Sequence, residues 1–157
     1  LGAIGRRVAD IAKAFGAHVI YYSASGSAPQ EGYEQVDFDT LLTTSDIVSV
    51  HAPLNEYTKD LMDKEVFAKM KKTAIFLNLG RGPIVVEQDL CDALESGTIA
   101  AAGLDVLCKE PMSASNPLLK IKDSKKLIIT PHIAWASVEA RNRLMQIIVG
   151  QIKDFFG

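Results

Sequence analysis

Three polar residues stand at the ends of apolar runs, and their types fit one kind of chemistry. Arg81 lies in Asn78-Leu79-Gly80-Arg81-Gly82, Glu110 in the run from Gly103 to Pro111 (GLDVLCKEP), and His132 in Thr130-Pro131-His132-Ile133-Ala134-Trp135-Ala136-Ser137. A guanidinium is a planar fork that can hold a carboxylate through two hydrogen bonds and polarise an adjacent carbonyl. An imidazole titrates near neutral pH, so it can donate and accept one proton per turnover. A carboxylate against its other ring nitrogen would fix the tautomer and favour the proton-donating form. Such a set can hold a 2-oxo acid and move a proton on its carbonyl oxygen. Each residue also has a plainer reading: Arg81 as a surface ion-pair arginine, His132 as a satisfied core or surface histidine. The second is weakened because Glu110 occupies the preceding strand-end loop, whereas His18 and His51 lack such a partner in the sequence.

A second group of residues has the spacing of a nucleotide site. The chain opens Leu1-Gly2-Ala3-Ile4-Gly5-Arg6-Arg7, directly into a helical pattern. Gly2 and Gly5 fit the second and third glycines of a G-x-G-x-x-G dinucleotide loop. Gly2 would let the backbone approach a pyrophosphate, Gly5 would allow close helix–strand packing, and the Ala3 and Ile4 amides would point at the phosphates. The first glycine and its strand, which would lie at the centre of the sheet, are not in the sequence. Alone, G-x-x-G fits an ordinary turn equally well. Ser23 ends the next strand, about 20 residues on, where an acidic residue would bind the adenosine ribose and repel a 2′-phosphate. Tyr22-Ser23-Ala24-Ser25-Gly26 offers hydroxyls and neither carboxylate nor arginine, so NAD and NADP both stay open. Asp105 can accept from a nicotinamide carboxamide or cap a turn, and Trp135 can wall a substrate or pack. Cys91 falls in a helical pattern and reads as core; an oxidisable role for Cys108, beside Glu110, is the less favoured reading; neither has metal-ligand spacing. The lysine groups Lys69-Lys71-Lys72 and Lys120-Lys122-Lys125-Lys126 read as solvated faces and helix ends.

These residues need a sheet to bring them together. Short β-rich runs recur at 18–22, 47–50, 74–77, 100–104 and 127–129, apolar almost throughout rather than alternating, as in strands covered on both faces. Helical patterns lie between them. One runs from Arg6 to Phe15, with Val8, Ile11, Ala12 and Phe15 on one face and Gly16 as its stop. Asp39 can cap a short helix over Leu41 and Leu42, and Asp63 one from Lys64 to Met70. Glu87 to Glu95 ends at Gly97, and Ser137 can cap a final helix with Leu144, Ile148, Ile152 and Phe155 on its apolar face. Residues 23–32 read as a polar loop. Strand–helix alternation of this kind predicts an α/β, doubly wound parallel sheet. The 157 residues suffice for one domain, 1–157. The net charge of −2 and pI near 5.9 argue against nucleic-acid or anionic-membrane partners. No apolar run reaches the roughly 18 residues of a membrane span, no leader opens the chain, and two cysteines favour a cytoplasmic location.

The chain resembles the cofactor-binding domain of the D-isomer-specific 2-hydroxyacid dehydrogenases. The resemblance covers essentially its whole length. It rests on LGAIGRR, on Val50-His51-Ala52-Pro53-Leu54 with Thr58, on NLGRGPIVVEQDLCDAL, on GLDVLCKEP and on TPHIAWAS, the last three being specific in their order and spacing. The HIAWAS ending looks most like glycerate dehydrogenases, also called hydroxypyruvate or glyoxylate reductases. The resemblance implies a Rossmann-like fold, here without its first strand and the separate substrate domain. It also implies NAD as cofactor, with NADP possible, a small 2-oxo or D-2-hydroxy acid substrate, and a homodimer. By the same resemblance Arg81 would bind the substrate, His132 would be the acid/base and Glu110 its partner. Gly2, Ala3, Ile4 and Gly5 would face the pyrophosphate, and Ser23 the ribose. Pro53, Thr58, Leu79, Gly80, Asp105 and Ala134 would line the rest of the cofactor site, beside Arg81 and His132. Two other functions stay open on sequence: a nucleotide-sensing corepressor, which family relatives of this fold include, and an inactive chain with a dimerising role.

Overall fold

Parallel strands carry the chemistry-bearing residues at their carboxyl ends. The computed structural model describes residues 1–27 and 29–157; Ala28, inside the expected polar loop, lies outside the described residues. The elements run α1 (Ala3–Ala14), β1 (Ile20–Tyr21), β2 (Glu34–Gln35), α2 (Phe38–Thr44), β3 (Ile47–Val50), α3 (Lys64–Lys69), β4 (Ile75–Asn78), α4 (Glu87–Ser96), β5 (Ala101–Leu104), β6 (Leu127–Ile129) and α5 (Val138–Phe156). Strands β3, β4, β5 and β6 pair in that order, all parallel, with Val48 beside Phe76, Phe76 beside Ala102 and Ala102 beside Leu127. Strands β1 and β2 form a separate parallel pair. The expected strands are present: those at 47–50 and 127–129 have the expected bounds, that at 74–77 lies one residue later, that at 100–104 is one residue shorter, and that at 18–22 is cut to Ile20–Tyr21. The two-residue β2 has no counterpart in the apolar pattern, because Glu34 and Gln35 are polar and the strand is too short to show a period.

The core lies under the larger sheet. Phe67 of α3 and Phe76 of β4 meet edge to face, ring centroids 5.3 Å apart. Leu42, Leu90, Leu94 and Ile99 close around them, all fully buried. Each such side chain contributes about 1.5–3 kcal/mol of burial free energy. Cys91 is core as expected. Helix ends follow local chemistry: Asp63 accepts from Val66 N at 2.9 Å, Ser137 from Ala140 N at 3.1 Å, and Gly97 takes the left-handed conformation (φ 72°) that ends α4.

Two expectations need correction. The cap of α2 is Asp37, which accepts from Thr40 N at 2.8 Å, and not Asp39. The helix starts earlier because Phe38 packs on Tyr22 (centroids 4.8 Å), leaving Asp39 in the first turn to pair with Lys69 at 2.7 Å. Secondly, the apolar faces of α1 and α5 are uncovered: Val8, Ile11 and Phe15 are exposed, and α5 has no buried residue. Period gives the face of a helix but not what covers it. No helix among the described residues is long and apolar enough to cross a membrane.

Candidate active site

The site is built at the carboxyl ends of three neighbouring strands. β4 ends at Asn78, whose fully buried side chain accepts from Gly80 N (3.1 Å) and donates to the Arg81 carbonyl (3.0 Å). This bracket folds the chain back on itself. A Cβ on Gly80 would lie 3.2 Å from the Ala52 carbonyl, and one on Gly82 would overlap the Leu107 carbonyl group, so only glycine fits the second position. Arg81 is held between these two contacts and is exposed. Its Nη1 donates to the Gly80 carbonyl at 2.8 Å. Among the described residues no carboxylate lies within ion-pair distance, which disposes of the surface ion-pair reading. Sequence reasoning gave Asn78 no role, although an Asn between an apolar strand and a glycine turn carries the signal of a side chain that brackets its own backbone.

After β5 comes Asp105, buried at 6% exposure. Its carboxylate accepts from Thr130 Oγ1, from Ile133 N (2.9 Å) and from Ala134 N (2.8 Å). Burial pushes its pKa up, but these donors, Thr130 foremost, and the nearby His132 outweigh that and hold it below the usual value. Asp105 thus clamps the turn after β6, which is the turn-holding role expected of it. Three of its roughly four acceptor positions are used. The clamped turn holds His132 at φ 55°, a left-handed conformation that costs a non-glycine residue about 1–2 kcal/mol. Trp135 is tied to the same turn: its Nε1 donates to the His132 carbonyl at 2.9 Å.

Glu110 lies in the loop after β5 and meets His132 there. Its Oε1 accepts from Leu107 N at 2.9 Å, and Oε2 pairs with His132 Nδ1 at 2.7 Å. The Leu107 amide first, then His132, hold the Glu110 carboxyl below its ordinary pKa. With Nδ1–H directed at the carboxylate, Nε2 is the nitrogen left for a reacting group; it has no hydrogen bond among the described residues. The paired side chains remain 40% and 38% exposed, so the pair opens to its surroundings. Cys108 is a poor candidate for oxidation. Burial of its sulfur, then the Glu87 carboxylate, push its thiol up to about 11, far from a thiolate at neutral pH.

The nucleotide-type residues lie at the amino end of α1 and on the loops after β1, β3, β4 and β6. Gly2 caps α1 without any side-chain acceptor, no acidic residue sits in the first turn, and a Cβ on Gly2 would meet nothing within 4 Å. Gly5 is buried, and a Cβ there would meet the Leu1 side chain at 3.2 Å and His51 Cβ, in the loop after β3, at 3.7 Å. Free first-turn amides beside open space suit a pyrophosphate. Ser23 lines an open cleft of about 530 Å³ together with Tyr22, Gln35 and Asp37. Pro53, Leu79 and Ala134 are exposed on the strand-end loops. Thr58 is not: it is 1% exposed, and its hydroxyl donates to the Pro53 carbonyl (2.6 Å) and accepts from Asn55 N (2.9 Å). It shapes the loop that presents Pro53 rather than lining open space itself. The expectation that His18 lacks a carboxylate partner also needs correction, whereas His51 meets only a hydroxyl. His18 pairs with Glu34 at 2.9 Å because β1 and β2 align in parallel, and His51 Nε2 meets Ser49 Oγ at 2.9 Å.

Comparison with known proteins now bears on the same residues. The family model for the D-isomer specific 2-hydroxyacid dehydrogenase, NAD binding domain, matches residues 1–134. The chain belongs to that family. A hydroxypyruvate reductase of Blautia hydrogenotrophica is 47% identical over 156 residues, covering 98% of this chain and 48% of the relative. A glycerate dehydrogenase of Methylorubrum extorquens is 42% identical over 153 residues, covering 98% and 46%. Among solved structures, an NADPH-dependent glyoxylate/hydroxypyruvate reductase from Sinorhizobium meliloti, in complex with NADP and malonate, superposes with a TM-score of 0.88. It is 31% identical and covers 100% of this chain and 48% of that one. The chain therefore spans about half the length of the curated relatives it matches. The family match agrees with the Rossmann-like parallel sheet and with an NAD-type cofactor.

Proposed function

We propose that the chain is the cofactor-binding part, over residues 1–157, of an NAD(P)-dependent D-2-hydroxyacid dehydrogenase. It would reduce a small 2-oxo acid of the hydroxypyruvate or glyoxylate type and run the reverse reaction on the D-2-hydroxy acid. The observation that carries this reading is the 2.7 Å His132–Glu110 pair, on strand ends next to the one that presents Arg81 without a carboxylate partner among the described residues. The nicotinamide supplies the hydride when bound. His132 gives its Nε2 proton to the carbonyl oxygen, and Glu110 holds the imidazole in orientation and balances its charge. Arg81 grips the carboxylate in a fork, so the carbonyl presents one face, which sets the D configuration. Holding both partners in one cleft contributes the proximity effect. The Gly2, Ala3, Ile4 and Gly5 turn would hold the pyrophosphate, Ser23 the ribose, and Pro53, Leu79, Gly80 and Ala134 the nicotinamide end. The remaining acceptor position of Asp105 is available to a carboxamide.

Cofactor choice turns on the Ser23 cleft. Asp37 stands in its wall, with Thr40 holding its carboxyl below the usual range, and no lysine or arginine lines the cleft among the described residues. That combination favours NAD over a cofactor with a 2′-phosphate. The activities of the named relatives favour turnover over a corepressor role. The bare apolar residues Leu144, Ile148, Ile152 and Phe155 of α5 support a homodimer, testable by sedimentation, and the two free cysteines support a cytoplasmic location. The test of the activity is hydroxypyruvate-dependent oxidation of NADH and of NADPH by the full-length protein. Turnover, faster with NADH, is the expected result. Nucleotide binding without turnover of hydroxypyruvate, glyoxylate or pyruvate would count against the proposed substrate class.

A further inference from the structure

We infer that Glu87 is a positioning residue for the His132–Glu110 pair. Glu87 is the first residue of α4, where the helix dipole favours a carboxylate. Its two oxygens reach different parts of one loop. Oε1 accepts from Cys108 N at 2.8 Å, and Oε2 accepts from Asn116 Nδ2 at 2.8 Å. Cys108 lies two residues before Glu110. Asn116, buried at 8% exposure, in turn accepts from Leu118 N at 2.9 Å and starts the short turn Pro117–Lys120. One carboxylate therefore pins both the start and the end of the segment that carries Glu110. The same segment is braced from the Arg81 side, where Gly82 lies against the Leu107 carbonyl.

Bracing matters because Glu110 is itself 38% exposed. Little packing fixes its side chain, so its aim at His132 comes from the backbone of its loop and the Leu107 amide. Glu87 touches neither His132 nor Glu110 through any hydrogen bond among the described residues, so it acts on the pair only through the loop. Removing it leaves the Cys108 amide and the Asn116 amide group without their acceptor, and the loop gains freedom to swing Glu110 off the ring.

The inference rests on the dehydrogenase reading, so its test carries a readout that does not depend on turnover. Glu87→Ala, Glu110→Gln and the double variant are compared in the full-length protein by kcat with hydroxypyruvate, by the dissociation constant of NADH, and by the His132 Nδ1–H proton resonance. Glu87→Ala is expected to lower kcat about tenfold, with NADH affinity within about twofold of wild type, and the double variant to be no slower than Glu110→Gln. A multiplicative loss in the double variant, or an unchanged kcat, would overturn the inference. If Glu87→Ala does not fold, Glu87→Gln keeps the Cys108 acceptor and should lose about threefold, only in the background that retains Glu110; an equal loss in both backgrounds refutes the idea. Should the wild-type protein show no turnover, the dehydrogenase reading falls while the proton signal still decides. The hydrogen-bonded Nδ1–H resonance is expected in wild type and lost in Glu87→Ala, and its persistence in the variant contradicts positioning by Glu87.

Discussion

Among the described residues there are two histidine–carboxylate pairs, and they differ in everything except their chemistry. His132–Glu110 is 2.7 Å long and His18–Glu34 is 2.9 Å. The second lies at the short β1–β2 ribbon with side chains 79% and 57% exposed, and no other side-chain hydrogen bond holds either residue among the described residues. The first is fixed on both sides: His132 by the Asp105 clamp in a left-handed turn, Glu110 by the Leu107 amide and by a loop tied to Gly82 and Glu87. A freely exposed ion pair is worth about 0–1 kcal/mol and moves with solvent. What separates the two pairs is the number of independent constraints on their geometry, not the bond between their members, and that difference is what the proposed role of His132–Glu110 requires.

The sharpest way to test this contrast is at Arg81, after the strand next to those that carry the clamped pair. Two charge-assisted hydrogen bonds to a carboxylate are worth about 1.5–3 kcal/mol each, so Arg81→Ala should lower kcat/KM for the 2-oxo acid by roughly 10²–10⁴-fold. NADH affinity, read by fluorescence titration, should hardly change. Equal loss for substrate and cofactor would instead mean that Arg81 supports the fold. Gly82→Ala attacks the brace itself. Its new methyl meets the Leu107 carbonyl group, which is backbone and cannot step aside, so a loss of about 1–3 kcal/mol in denaturant unfolding is expected. An unchanged midpoint would show that the two loops are not in hard contact.

Glu110→Gln and Glu34→Gln compare the two pairs directly. The first should lower kcat on the order of tenfold, and the second should leave it within about twofold; equal effects would erase the distinction. The sign of the acid response follows from the lowered Glu110 value. The pairing contributes fully above the unfolded carboxyl pKa and is lost as pH falls through the depressed folded one, so Glu110→Gln should flatten the acid side of the stability profile. The smallest effect is expected at the nucleotide end. Ser23→Asp should shift the ratio of NADH to NADPH affinity by about tenfold toward NADH, and no shift would remove Ser23 from the ribose position.

Much of this corner is legible in the sequence, for a physical reason. Arg81, Glu110 and His132 each follow an apolar run, and in a parallel sheet those runs end on one side, so linear spacing becomes proximity. The α4 stop at Gly97 and the caps Asp63 and Ser137 are legible too, because they are local. What holds the residues in place is not. Glu87 lies 21 residues from the Cys108 amide it binds, and Asp105 lies 28 from the Ile133 amide. A backbone donor leaves no trace in residue type, so neither tie can be read from the chain. The His18–Glu34 pair is hidden likewise, since it depends on a two-residue strand with no apolar period. Thr58 shows the opposite case: its place in a family motif implied a cofactor contact, and what the structure adds is that its buried hydroxyl bonds within its own loop.

The central claim, that the clamped pair is the proton donor and the free pair is not, is tested most directly by measuring kcat for hydroxypyruvate reduction with His132→Ala and His18→Ala side by side in the full-length protein. The account predicts a loss on the order of 10²-fold or more for His132→Ala, as for removal of a general acid, and a wild-type rate for His18→Ala. A wild-type rate for His132→Ala would contradict it.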